Sequence, residues 1–150
     1  MYINALVMVC MFSHWTEVFS CRQATASSEA KALLEKIIPT QGTPLKLHND
    51  QGTHFTGQAL WQVCDVWMVL QHFHCAYHPQ SSGLVKCTNS IIRTQLANFV
   101  EVLQIPRPKG LPAVHLSLRV TSFRTHKLSP FRWSQEAQCT WLLCLLTHNW

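Results

Sequence analysis

The amino-acid sequence predicts a single α/β domain, in which strands and helices alternate along the chain. A continuous apolar run begins the chain at residues 3–11, and two more short apolar stretches, 45–48 and 69–77, lie between segments with helical spacing. Apolar residues make up 47% of the 150 residues. This share is enough for a buried core and excludes disorder by composition.

The first half of the chain predicts a hairpin, a helix and a short strand. The run at 3–11 is followed by a turn at 12–14 and by alternating residues at 15–20, as in a returning strand. Thr25 or Ser28 can cap a helix over 29–37, which Pro39 should end. A strand at 45–48 then places Asp50 at its carboxyl end.

The second half predicts a helix over 57–67, a strand over 69–77, a flexible polar loop over 79–83 and a helix over 84–103. On this last helix Lys86, Ser90 and Arg93 share a polar stripe, separate from the apolar one. Proline residues break the chain at 106 and 108, and 111–118 predicts one more helix. The tryptophans at 15, 61 and 67 are expected to pack in the core.

Charge and cysteine content set the expected partners and compartment. The net charge is +5, which suits a polyanion, although the basic residues are scattered along the sequence. The seven cysteines include no Cys-x-x-Cys pair, so reduced thiols in the cytosol or nucleus are expected. The apolar start is too short to span a bilayer, and no membrane or export signal is expected.

Two motifs carry a family resemblance. They are Leu47-His48-Asn49-Asp50-Gln51-Gly52 and His78-Pro79-Gln80-Ser81-Ser82-Gly83, with Lys86 three residues after the second. The chain resembles the retroviral integrase catalytic core of the gammaretrovirus type over residues 5–132. The segments 12–17, 74–77 and 128–131 are also similar to that family.

The resemblance implies an RNase H-like fold with a mixed five-stranded sheet. In the family, two Asp and one Glu hold two divalent metal ions that drive phosphoryl transfer on DNA, and carboxylate oxygens suit Mg²⁺. Asp50 matches one of these ligands, whereas Lys86 stands at the glutamate position. Cys10 does not match a ligand position, and Asp65 lies on a helix and is a poor substitute. We therefore expect lost catalysis and no metal cofactor, Mg²⁺ or Mn²⁺ being the ancestral ions.

The first family aspartate belongs to a central strand upstream of the hairpin. We accordingly expect an N-terminally truncated core over 1–132, a sheet without its central first strand, and an unrelated apolar tail over 133–150. The hairpin must then pair directly with 45–48, leave a gap or expose an apolar edge, and unpaired backbone groups predict marginal stability or aggregation. Met68 stands where the family commonly has a helix-ending glycine and favours the same outcome.

The predicted function is an inactive integrase remnant that binds DNA or RNA weakly. Gln80, Ser81, Asn89 and Arg93 are candidate contacts to the nucleic acid, or else part of a solvated polar surface. The alternatives are a dimerisation module that does not bind DNA, a non-functional fossil of an endogenous retrovirus, and a working strand transferase. A further cluster can either bind zinc or consist of ordinary strand and loop residues, namely His72, His74, Cys75 and His78.

Overall fold

The computed structural model describes residues 4–21, 25–49, 57–73, 79–122, 127–133 and 140–146, and for 79–82, 107–108 and 140–146 it describes the backbone alone. The strands are β1 (Asn4–Cys10), β2 (Thr16–Cys21), β3 (Lys46–Asn49), β4 (Leu70–Phe73) and β5 (Thr140–Leu146). The helices are α1 (Ala26–Ala32), a π-helical segment (Leu33–Ile37), α2 (Ile38–Gln41), α3 (Gln58–Val66), α4 (Pro79–Leu103), α5 (Arg107–Val120) and α6 (Pro130–Trp133). Within these ranges no helix is long and apolar enough to cross a membrane.

The strands form one mixed sheet in the order β2-β1-β5-β3-β4. The hairpin strand β1 is antiparallel to both β2 and β5, whereas β3 is parallel to both β5 and β4. This arrangement confirms the predicted α/β class and the mixed five-stranded sheet.

The centre of the sheet corrects one expectation. Without the upstream strand we expected the hairpin to pair directly with the strand before Asp50, to leave a gap or to expose an apolar edge. Instead β5 lies between them, and it comes from the range expected to be an unrelated tail. Its backbone pairs with β1 from Trp141 to Leu146 and with β3 from Thr140 to Leu143. A continuous apolar run without alternation is typical of a strand covered on both faces, which is the environment of a central strand.

Two hydrophobic clusters cover the two faces of the sheet. On one face Leu6 and Met8 of β1 pack with α1, the π-helical segment and α3, and Leu33 and Leu60 are fully buried there. On the other face, alternate residues of β1 pack with α4 and α5. The residues of this second cluster are Ala5, Val7, Val9, Val18, Val85, Ile92, Leu96, Leu111 and Val114. The alternation of β1 between the clusters follows from the two-residue period of a strand.

Prolines and glycine set the helix ends differently from the predictions. The helical backbone continues past Pro39 to Gln41, because a π-helical segment precedes the proline and changes the hydrogen-bond spacing. Gly42, with φ +80°, then ends it. The expected loop 79–83 is wrong: α4 begins at Pro79, a residue suited to a first helical turn because it needs no N–H donor there.

The tryptophan prediction is confirmed for one residue of three. Trp15 is buried, whereas Trp61 and Trp67 are 59% and 44% exposed on and after α3. The helical spacing predicted a helix that contains Trp61 and Trp67, but it did not indicate which face of that helix is buried. Exposed aromatic side chains therefore lie on α3 and directly after it.

Candidate functional site

The carboxyl ends of β3 and β4 lie at the same edge of the sheet. The two strands are parallel, and Asn49, the last residue of β3, pairs with Phe73, the last residue of β4. Asp50 follows Asn49 directly but lies outside the described residues. In α/β sheets this edge is where ligands usually bind, and the strand that precedes Asp50 in the sequence ends there.

The helix α4 carries the position of the expected glutamate. Lys86 and Arg93 are both exposed on it, and a separation of seven residues places them on one side of the helix, roughly 10 Å apart along its axis. The buried residues Val85, Ile92 and Leu96 lie about 100° round the helix and anchor that side of it to the sheet. The predicted polar stripe is therefore solvent-facing at both charged positions.

Three other candidate contacts are placed differently. Asn89 is only 7% exposed and its Oδ1 is buried, so this side chain faces the protein interior and not a surface ligand. Gln80 and Ser81 lie in the first turn of α4, and their side chains are outside the described part. Asn89 is consequently left out of the surface proposed below.

The described residues do not fit the two-metal site that the resemblance to the integrase core implies. The first turn of α4 has no acidic residue, and the only carboxylate of this helix is Glu101. That residue is 15 positions beyond Lys86, about 22 Å along the axis. Over the ranges that the structure covers, no group of three His, Cys, Asp or Glu side chains could hold a metal ion.

Two histidines of the sheet are neighbours. His48 of β3 is directly opposite His72 of β4, and the rings stack with centroids 5.3 Å apart and planes inclined by 20°. Of the proposed zinc cluster, His72 is exposed on β4, and His74, Cys75 and His78 lie outside the described residues. The strand pairing thus gives His72 a partner that the linear sequence did not indicate.

A polar network that sequence reasoning missed joins α5 to the edge strand β2. Arg119 forms an ion pair with Glu17 and lies over the Trp15 ring, 4.4 Å from the ring centroid. The Trp15 Nε1–H group donates to the same carboxylate at 2.9 Å. Both charged side chains are largely buried, so each depends on the other for compensation.

His115 belongs to this network. Its Nε2 accepts a hydrogen bond from the Val18 N–H group at 3.0 Å. This bond gives a partner to a backbone N–H group of β2, which is an edge strand of the sheet. Burial lowers the pKa of His115 below its ordinary value near 6.5; Glu17 opposes this shift and Arg119 reinforces it. The neutral imidazole is therefore the form that accepts the hydrogen bond from Val18 of β2.

Glu29 is a second residue that the sequence did not single out. It lies in the first turn of α1, completely buried, and neither carboxylate oxygen has a hydrogen-bond partner among the described residues. Burial raises the pKa of Glu29 to about 8. The carboxyl group is thus protonated at neutral pH.

The fold and the edge motif define a class: an RNase H-like α/β domain with a mixed sheet covered by helices on both faces. A profile of the family described as "Integrase core domain" matches residues 1–79, which is more than half of the chain. The Gag-Pol polyprotein of Walleye dermal sarcoma virus is 36% identical over 127 residues, or 84% of this chain. That of Feline leukemia virus is 39% identical over 131 residues, or 87% of it.

The chain belongs to the integrase core domain family. It spans 7% and 8% of the length of those two polyproteins, so it corresponds to a small part of them.

Solved structures of retroviral integrases have the same fold. The simian T-cell lymphotropic virus intasome in complex with PP2A regulatory subunit B56 gamma gives a TM-score of 0.80 at 23% identity, covering 90% of this chain and 49% of that one. The catalytic core domain of BIV integrase gives 0.75 at 23% identity, covering 89% and 86%. The HTLV-2 integrase catalytic core domain in complex with magnesium gives 0.75 at 21% identity in its trimeric form, again covering 89% and 86%.

Proposed function

We propose that this integrase core binds nucleic acid and does not cut it. The observation that carries the proposal is Lys86, exposed on α4 at the position where the family motif has its glutamate. An ammonium group cannot ligate a metal ion. Two like charges a few ångströms apart repel by several kcal/mol at an intermediate dielectric, so Lys86 opposes metal binding at this position.

The same substitution favours contact with phosphate. Lys86 and Arg93, with the exposed Ser90 between them, form a stripe on the solvent side of α4. Cationic and hydroxyl side chains in this arrangement contact phosphate oxygens irrespective of base sequence. Because few cations are involved, we expect weak binding to DNA or RNA without sequence preference.

A salt-dependent binding isotherm tests the proposal. Each phosphate contact that is removed should lower the slope of log K against log salt by about 1. We expect Lys86→Ala and Arg93→Ala each to weaken binding of a duplex oligonucleotide and to reduce this slope. Lys31→Ala is the matched control: Lys31 is exposed on α1, which covers the other face of the sheet, and the substitution removes the same charge.

Equal losses in all three variants would mean that net charge alone attracts the nucleic acid. Undetectable binding of the parent chain at low salt would refute the proposal.

Self-association is the second candidate function, because α3, the residues directly after it and β4 carry exposed apolar side chains. We name this surface the α3–β4 patch; it comprises Trp61, Trp67, Met68, Leu70 and Phe73. Trp61, Leu70 and Phe73 also line a shared surface cavity of about 370 Å³. Exposed apolar patches of this kind commonly mark protein interfaces. HTLV-2 integrase core structures are described in dimeric and trimeric forms, which supports a second copy of this chain as the partner.

Sedimentation of the full chain tests the second candidate. We expect Trp61→Ser and Phe73→Ser to shift the protein toward monomer. Val102→Ser is the control, because Val102 is 77% exposed on α4, away from the patch. An unchanged distribution in both patch variants, or an equal shift in the control, would contradict self-association through the α3–β4 patch.

A further inference from the structure

We infer that His48 and His72 form a two-histidine site for a borderline divalent ion such as Ni²⁺ or Zn²⁺. The pair offers imidazole nitrogens, unlike the carboxylate site of the family, and it does not depend on the proposed nucleic-acid binding. The parallel register of β3 and β4 creates the pair, because it places His48 and His72 directly opposite each other.

The backbone fixes most of the geometry. Directly opposite residues in a sheet project to the same face, and the two rings already lie within 5.3 Å of each other. A metal ion about 2.0–2.1 Å from one nitrogen of each ring requires those nitrogens to be about 3–4 Å apart. The stacked rings, inclined by 20°, do not direct their nitrogens at one point, but His72 is exposed, so rotation about its side-chain bonds can turn its nitrogen toward a shared ion without disturbing the core.

The surroundings leave room for an ion with open coordination positions. Lys46 and Leu70 precede the two histidines by two residues on the same strands, and both are exposed. Side chains at i and i+2 share a face, so this part of the sheet is open to solvent and water can complete the coordination. Imidazole nitrogen selects ions such as Ni²⁺, Cu²⁺ and Zn²⁺ over Mg²⁺, which prefers oxygen ligands.

A bridge between two strands must also stabilise the fold. Residues 48 and 72 are 24 positions apart in sequence, and the unfolded chain does not hold them together. An ion bound by both rings therefore binds the native state in preference to the unfolded state and raises the melting temperature by mass action.

The test is a Ni²⁺ titration of the full chain under reducing conditions, followed by calorimetry and by thermal melting. We expect binding with a raised melting temperature, and affinity at least about tenfold weaker in both His48→Gln and His72→Gln. The double variant should be no weaker than either single variant, because one ring alone no longer chelates. Mg²⁺ should produce no shift.

Asp50→Ala separates this site from that of the family, because it should leave Ni²⁺ binding unchanged. Loss of binding in Asp50→Ala would assign the ion to the family's carboxylate site and overturn the inference. So would unchanged affinity in either histidine variant, which would place the ion on other histidines or on thiols. Failure of the parent chain to bind Ni²⁺ would overturn it directly.

Discussion

Proline at the middle of β5 is the sharpest perturbation of the fold. Leu143 pairs with Met8 on one side and with Asn49 on the other, so both neighbouring strands are affected. Leu143→Pro removes the backbone N–H group and fixes φ near −65°, neither of which a central strand tolerates. We expect a large loss of stability.

The size of the loss follows from the backbone groups concerned. One lost ladder hydrogen bond costs about 0.5–1.5 kcal/mol, and one unsatisfied buried acceptor costs about 1–3 kcal/mol more. A loss of about 2–4 kcal/mol is a large fraction of a usual unfolding free energy of roughly 5–15 kcal/mol. For a chain of this length it corresponds to a melting temperature lower by about 5–15 °C.

The assay is urea unfolding followed by far-ultraviolet circular dichroism, with two matched controls. Leu143→Val keeps the N–H group and suits a strand, so it should cost less than about 1.5 kcal/mol. Gln58→Pro introduces a proline at the first helical position of α3, after Gly57 in an extended conformation, and should have little effect. If Leu143→Pro unfolds at the same urea concentration as these controls, β5 is not the central strand and the account of the fold is wrong.

Three further predictions concern single positions. Met68 has φ +54° directly after the C-cap residue of α3, where the Val69 N–H group donates to the Cys64 carbonyl oxygen at 2.7 Å. Because glycine adopts a positive φ without strain, Met68→Gly should raise the unfolding free energy by about 0.5–1 kcal/mol in thermal melts. Met68→Ala keeps the Cβ atom and should change this free energy little. Burial raises the pKa of Glu29 to about 8, so the unfolding free energy of the parent should fall as pH rises from 4.5 to 8. Glu29→Gln should remove this fall of several kcal/mol, which a pH series of urea melts measures. Because the pKa of His115 is lowered, its contribution to the unfolding free energy should be complete above pH 6.5 and should be lost as pH falls below 6.5. Hydrogen exchange of the Val18 amide should accelerate over the same range. His115→Gln keeps a hydrogen-bond acceptor and should abolish this pH dependence.

Each of these has a clear contrary outcome. Equal stabilisation by glycine and alanine at position 68 would exclude backbone strain. A parallel pH profile in Glu29→Gln would assign the titration to another group. Val18 exchange that is as pH-dependent in His115→Gln as in the parent would show that the ring does not protect this amide.

Local patterns predicted much of the fold. The apolar run at the start, the alternation after it and the helical spacing of α4 depend on neighbouring residues, and all of them predicted the correct type of element. Helix ends were less predictable, because Pro39 and Pro79 act differently according to the hydrogen bonds around them. The position of Pro79 before a polar segment was compatible with either a loop or a first helical turn.

Long-range contacts could not be predicted from such patterns. β5 pairs with β1 across more than 130 positions, and its apolar run indicates burial but not a partner. The ion pair between Glu17 and Arg119 joins residues 102 positions apart. The neighbouring positions of His48 and His72 follow from sheet register, which becomes known only when the strands are paired.

The candidate site was predictable in part. The sequence indicated Lys86 and Arg93 as one polar stripe, and both are exposed on α4. It did not indicate that Asn89 is buried, because Asn89 lies only about 60° round the helix from Lys86, toward the side of the buried Val85.

The central proposal is that this integrase core does not perform metal-dependent chemistry on DNA. The most direct measurement is the formation of nicked or joined product from a labelled viral-end duplex, by the full chain, with millimolar Mg²⁺ or Mn²⁺. Because Lys86 lies where the family resemblance predicts a metal-binding glutamate, and the only carboxylate of α4 is about 22 Å from it along the helix axis, we predict no product under either condition. Product that requires the metal and disappears in Asp50→Ala would contradict the account.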